Sequence, residues 1–378
     1  MKILTYEASG ASDNEIHFSP MKFAKFNLIV GNSGTGKTRL LNTIFNGARL
    51  VVQKDKFYIG FWDVTLEHKN VKYRWVIETG KGSDEVEGEA KVIRETILTY
   101  DGDKEVTLVS RSPDSFQFKG NELPKLSHKE SSIALLQDED LIKPIYEALT
   151  LIMRRNFSGS DLEQEGSFQS LPQAVLKKIK KTKSLKDLFH SNLNLSCKLY
   201  ILEQVFKGTY ERICSEFIAT FPFVSETQLL SADKFGFHYP GIVPVFSLRE
   251  KFNNKWIPLN EFSSGMKKVL LILSDIFILP EEGCVYMIDE YENSLGVNAI
   301  NFFPSVLFEG TTESQFIITS HHPYIIGNVP VKDWIVLHRK GNTVHVKQGS
   351  ELEERFGKSK QKAFIQLINE PFYVEGVE

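Results

Sequence analysis

The sequence predicts an α/β fold: a strand–loop–helix unit joined to an antiparallel β meander and a helical insertion. Three observations lead there. Gly31-Asn32-Ser33-Gly34-Thr35-Gly36-Lys37-Thr38 matches the phosphate-loop pattern G-x-x-x-x-G-K-[ST] at every defined position. Two apolar runs, Cys284–Ile288 and Phe316–Thr319, end in the polar groups Asp289-Glu290 and Ser320-His321, as buried strands ending in a crevice do. Alternating hydrophobic segments follow the loop, and helical spacing fills the middle of the chain.

Composition sets the outer bounds. With 378 residues, the chain exceeds one average domain, so two lobes or one domain with a large insertion are expected. A hydrophobic fraction of 42% and a charged fraction of 25% belong to an ordinary soluble globular protein. The net charge of −3 supplies no global field that would draw the chain to nucleic acid or a membrane. Three cysteines, Cys197, Cys214 and Cys284, sit in apolar surroundings without metal-ligand spacing, which suits reduced thiols and a cytoplasmic location. The start of the chain has no secretory pattern, and no apolar run is long enough to span a bilayer.

Taken in order, residues 1–30 read as two strands around Lys2–Tyr6 and Lys25–Val30, joined by a polar loop. Arg39–Phe45 reads as the amphipathic helix that the phosphate loop opens. Tyr58–Glu67 and Val71–Glu78 alternate across the turn His68-Lys69-Asn70, and runs at Glu89–Thr96 and Glu105–Ser110 extend this hairpin into a meander. Residues 1–120 therefore form a first part, with a helical insertion over 121–220 and a closing part over 221–378. Within the insertion, Leu141–Arg155, Leu171–Phe189 and Leu193–Thr220 read as helices, and the polar stretch Phe157–Gln169 as a loop. The lysines 177, 178, 180, 181, 183 and 186 read either as a solvated helix face or as a contact for nucleic acid or an acidic partner. Strands return at Val243–Leu248 and Lys255–Pro258, and a long apolar helix covers Val269–Leu279. A hairpin over Trp334–Val346 and a helix from Glu351 to Asn369 end the chain.

The motifs imply specific chemistry. Glycines let the loop backbone curl until its N–H groups point inward, next to the positive end of a helix dipole. Lys37 then reaches the β- and γ-phosphates of ATP, and Thr38 offers its hydroxyl to Mg²⁺. Asp289 completes the metal shell, and Glu290 takes a proton from the attacking water. Ser263-Ser264-Gly265 is a small-residue helix start suited to presenting N–H groups to a phosphate. His321 faces the same crevice as Asp289 if the two strands are parallel neighbours.

The phosphate loop, the Ser-Ser-Gly signature, the Asp-Glu strand and the His-terminated strand, in this order, resemble a P-loop NTPase of the ABC ATPase head type. The likeness is to the soluble SMC, RecF and OLD-like branch. Ile288-Asp289-Glu290-Tyr291-Glu292-Asn293-Ser294-Leu295 is similar to the D-E-x-E-N-S-L stretch of OLD-like ATPases, and Thr319-Ser320-His321-His322-Pro323 resembles their T-[ST]-H-x-P switch. The resemblance covers residues 26–45 and 260–326. It implies that Ser263, Ser264 and Gly265 act in trans as the signature, that Asn293 and Ser294 form the D-loop at a subunit contact, and that His321 is the switch histidine. Met266 departs from the family, which usually carries Gln or Glu there, and for the Q-loop glutamine that the resemblance implies at the metal, Gln137, at the entry to the helical insertion, is the candidate.

The same resemblance implies an Mg²⁺-dependent ATP hydrolase that closes as a head-to-tail homodimer around two nucleotides, with higher assembly open. Only 57 residues follow His321, fewer than the nuclease domain of OLD proteins needs, so a separately encoded effector protein is expected. The leading expectation is the ATPase subunit of a bacterial anti-phage defence system. The alternative is a DNA-repair ATPase of the RecF or SMC kind that binds DNA. A transporter subunit is disfavoured by the Asn293-Ser294 run and the long insertion.

Overall fold

The computed structural model describes residues 1–10, 16–57, 60–81, 90–124, 126–296, 313–356 and 360–375. The chain forms two compact units. The first joins Met1–Arg155, Glu282–Tyr291 and Glu313–Glu378; the second joins Asn156–Glu281 and Glu292–Thr312.

In the first unit a 14-stranded sheet carries everything else. Its strand order begins with Ile152–Arg155 at one edge, then Val285–Ile288, Gln315–Thr319, Phe26–Val30 and Trp334–Lys340, all parallel. These strands are near-continuous apolar runs because a parallel sheet is covered on both faces; Val285–Ile288 and Gln315–Thr319 are buried at every residue. Thr343–Gln348 then folds back antiparallel, followed by His17–Lys22 and Lys2–Gly10. From there the sheet runs as the meander Gly60–His68, Val71–Gly80, Lys91–Asp101 and Lys104–Arg111, with two short strands beyond. The first hairpin turns on Lys69 (φ 51°) and Asn70 (φ 63°), the left-handed pair that a two-residue turn between twisted strands requires.

The second unit is mainly helical. It contains Gly159–Gly166, Gln173–Thr182, Leu185–Phe189, Leu195–Val205, Lys207–Thr220 and Ser264–Ile278, beside a three-stranded antiparallel sheet of Val224–Ser231, Pro244–Glu250 and Trp256–Pro258. Ser264–Ile278 is apolar nearly all round and buries eleven of its residues, so it serves as the core helix of this unit.

Several local expectations change. Leu141–Arg155 is not one helix: helix Lys143–Leu149 ends at Thr150, and Ile152–Arg155 is an edge strand beside Val285–Ile288. A short apolar run cannot be told from a helix segment by periodicity, and here the neighbouring strand decides. Leu193–Thr220 is two helices broken at Phe206, whose φ of −128° and ψ of 54° leave the helical region. The polar stretch 157–169 contains the helix Gly159–Gly166, capped by Ser158, whose side chain accepts from the Asp161 N–H. Strand His17–Lys22 lies within what read as the N-terminal loop. The expected strand starts at Tyr58 and Glu89, and residues 357–359 of the last helix, lie outside the described residues.

Candidate functional site

The phosphate loop leaves the buried strand Phe26–Val30 and enters the 16-residue helix Lys37–Val52. Gly34 and Gly36 adopt φ of 82° and 98°, which L side chains rarely tolerate. Gly31 is required for a different reason: a Cβ there would lie 2.7 Å from Thr35 Oγ1 and 2.8 Å from the Leu337 carbonyl oxygen. Thr35 closes the curl by donating from Oγ1 to the Asn32 carbonyl at 2.9 Å. Lys37 Nζ folds back and donates to the carbonyls of Gly31 at 2.7 Å and Asn32 at 3.1 Å. The helix is N-capped by Gly36, which has no side chain to meet the first-turn N–H groups. Those groups and the dipole end suit an anion. Asn32 Nδ2 also donates to the Tyr373 carbonyl at 3.1 Å, tying the loop to the helix Pro371–Glu375.

The neighbouring strand ends fall in one row, because Arg155 pairs with Ile288, Ile288 with Ile318, and Ile318 with Leu28. Asp289 is therefore the first residue beyond its strand and only 6% exposed. Its Oδ1 accepts from Thr319 Oγ1 at 2.7 Å and from Thr38 Oγ1 at 3.2 Å. Its Oδ2 accepts from Arg154 Nη2 at 3.2 Å. Glu290 turns outward in a left-handed conformation (φ 44°) and is exposed. A non-glycine residue there carries strain of about 1 kcal/mol. Thr319 holds the turn: its Oγ1 accepts from the Glu290 N–H at 2.8 Å, and its carbonyl accepts from the Tyr291 N–H at 3.1 Å. His321 lies exposed two residues past the end of the adjacent parallel strand, and His322 caps the following helix Pro323–Asn328.

In the second unit, Ser263 is the N-cap of helix Ser264–Ile278, its hydroxyl accepting from the Met266 N–H at 3.3 Å. Ser263 and Ser264 are exposed, whereas Met266 is 9% exposed and packs inward. Gly265 makes a close approach: a Cβ there would lie 2.4 Å from the Ser294 carbonyl oxygen. Asn293 and Ser294 are both exposed, and Ser294 has a φ of 65°.

The structure thus brings Gly31–Thr38, Asp289, Glu290 and His321 to one sheet edge of the first unit, and Ser263–Gly265 together with Asn293–Ser294 in the second. Gln137 is half-buried in the turn between helices Ser132–Leu135 and Lys143–Leu149. Among the described residues no hydrogen bond joins it to the loop or to Asp289. Three residues at these sites went unread in the sequence. Thr319 sits inside the switch motif but orients Asp289 and Glu290. Arg154 was hidden by the helical reading of its segment; a cation after the apolar run Leu151–Met153 was the available signal. Lys268 is wholly buried, and nothing in a Lys-Lys pair at a helix start announces that.

A family profile described as "AAA domain, putative AbiEii toxin, Type IV TA system" matches residues 26–327. No curated protein sequence matches the chain. Among solved structures, an SMC head bound to the C-winged helix domain of ScpA shares 14% identity at a TM-score of 0.51, covering 92% of this chain and 97% of that one. A Smc head with an extended coiled coil, bound to a ScpA domain and derived from Pyrococcus furiosus, shares 13% identity at a TM-score of 0.47, with 93% and 98% covered. The first likeness shows an SMC-head-type P-loop fold.

Proposed function

The chain belongs to this AAA-domain family, and from that premise we propose that it is an ATP-hydrolysing switch that closes as a homodimer. The observation that carries the reading is the meeting of Thr38 Oγ1 and Asp289 Oδ1, 3.2 Å apart at the mouth of the glycine-rich loop. Two hard oxygen donors beside a helix N-terminus and a lysine match the chemistry of an ATP–Mg²⁺ complex. When bound, the nucleotide would supply a cleavable phosphoanhydride, and the metal would offset the charge on its phosphates. Gly31–Thr38 would bind the phosphates, Lys37 offsetting their charge. Thr38 and Asp289 would hold the metal, with Arg154 and Thr319 keeping the Asp289 carboxylate in place. Glu290 would accept the proton of the attacking water on its exposed carboxylate, and His321 would donate a hydrogen bond at the same edge. Ser263, Ser264 and Gly265 of a second copy would meet the phosphates, with Asn293 and Ser294 at the contact; Gln137 is retained as the glutamine candidate.

The family description and the D-E-x-E-N-S-L run support a role in bacterial defence, with a separately encoded effector as the partner. The DNA-binding alternative draws on the helix Gln173–Thr182, where Leu176 and Ile179 are buried and Lys177, Lys178, Lys180 and Lys181 are exposed, although Lys178 pairs with Asp187 at 2.9 Å. Glu290→Gln decides the mechanism. We expect hydrolysis to fall by about 10²–10⁴-fold while ATP still binds and a dimer accumulates in light scattering. Lys37→Ala should bind no nucleotide in the same assay. Normal turnover by Glu290→Gln would rule out the assignment of the base.

A further inference from the structure

Lys268 has no part in the chemistry above, yet its side chain is wholly buried on the core helix of the second unit. A lysine in such a place is costly compared with an apolar side chain of the same length, unless its amino group does something specific. Here Nζ donates to the Asn293 carbonyl at 2.9 Å and lies 4.4 Å from the centre of the Phe157 ring. Gly265, one turn earlier on the same helix face, leaves its bare Cα to the next carbonyl, that of Ser294. Two consecutive carbonyls are thus seated on the helix, one by a donor and one by the absence of a Cβ. The turn they belong to is closed by the Leu295 N–H donating to the Glu292 carbonyl at 3.0 Å, and Ser294 is held in the left-handed region. With its carbonyls turned inward, the segment presents the side chains of Asn293 and Ser294 to solvent.

We propose that Lys268 is a positioning residue that locks the Asn293–Ser294 turn to the signature helix, so that Ser263–Gly265 and Asn293–Ser294 meet a second copy of this chain as one rigid surface. A methionine would fill the same volume but could not fix the carbonyl. The inference rests on the dimer reading given above, and the experiment separates the two.

Dimerisation is measured with ATP in the Glu290→Gln background, with and without Lys268→Met, well below the melting temperature. The affinity of the monomer for a fluorescent ATP analogue should stay within about twofold, while the dimer should weaken about tenfold or more, the scale of one buried hydrogen bond. Hydrogen exchange at residues 293–295 should quicken in Lys268→Met. Undiminished dimerisation by Lys268→Met overturns the role of Lys268. Failure of Glu290→Gln itself to dimerise overturns the dimer reading instead. If Lys268→Met does not fold, Lys268→Gln, one bond too short to reach the Asn293 carbonyl and leaving Ser263–Gly265 untouched, takes its place. Loss of the dimer with monomer nucleotide affinity kept supports the lock, and unchanged dimerisation refutes it.

Discussion

Two arginine–carboxylate pairs in the first unit, one fully buried and one half-buried at the strand ends, are built for opposite purposes. In the meander, Glu95 and Arg111 are 0% and 2% exposed and lie 3.6 Å apart. Glu95 accepts from Trp75 Nε1 at 2.9 Å and the Ser132 N–H at 2.7 Å; Arg111 donates to the carbonyls of Ser127 at 2.6 Å and Glu130 at 2.9 Å. Burial pushes the Glu95 carboxyl up from the ordinary carboxylate range and the Arg111 guanidinium down. Both groups are spent on holding the segment 127–132 to the sheet. At the strand ends, Asp289 is bonded by two threonine hydroxyls of the site itself and by Arg154, whose Nε has no hydrogen-bond partner among the described residues. A pair that is fully satisfied works as a staple. A pair whose carboxylate is shared with exchangeable hydroxyls can change partners.

The largest effect on stability should come from breaking the staple. Removing one partner of a buried, hydrogen-bonded pair typically costs about 3–5 kcal/mol, and Glu95→Ala leaves Arg111 behind with no carboxylate. Urea unfolding should register that loss, while nucleotide affinity per folded molecule stays unchanged. A parallel fall in affinity would show that the meander and the phosphate loop are coupled, and the contrast between the two pairs would fail.

The two pairs also differed in how much of them the sequence disclosed. Asp289 was legible because it ends an apolar run downstream of a phosphate loop, and both features are local. The loop and the helix start at Ser263 were legible for the same reason, since spacing and capping chemistry are written in consecutive residues. Arg154 depends on Ile152–Arg155 lying beside Val285–Ile288, a pairing between segments about 130 residues apart. Glu95 fell on an expected meander strand and Arg111 just past the end of another, and their partners in residues 127–132 come from a segment that the strand pattern does not point to. The same holds for Lys268, whose acceptor lies 25 residues away in sequence. What stayed hidden was which distant backbone would meet a polar side chain.

Arg154→Met should have a smaller effect, because Thr38 and Thr319 continue to hold Asp289. We expect a loss of about 1–2 kcal/mol, less than for Glu95→Ala. Its sharper consequence is electrostatic. Without a cation on Oδ2, the carboxylate attracts a divalent ion more strongly, so the Mg²⁺ concentration that half-saturates ATP binding should fall about threefold or more. A rise instead would mean that Arg154 acts by orienting the carboxylate rather than by offsetting its charge.

The narrowest effect, confined to mildly acidic pH, concerns a buried ionisable group with no hydrogen-bond partner among the described residues. His68, at the end of strand Gly60–His68, is 1% exposed, and neither ring nitrogen has a hydrogen-bond partner among the described residues. Burial chiefly, with the N-terminal ammonium and Lys69 adding, lowers its pKa to about 4. The unfolded chain takes up this proton near pH 6.5, whereas the folded chain refuses it until about pH 4. Between those values the unfolded state binds more protons, so stability falls as the pH falls. Melting curves of wild type and His68→Leu should therefore diverge from pH 6.5 down to about 4, the wild type losing about 2–4 °C more. Equal slopes would place a proton on His68 in the folded chain, and with it a partner that neither arginine pair resembles.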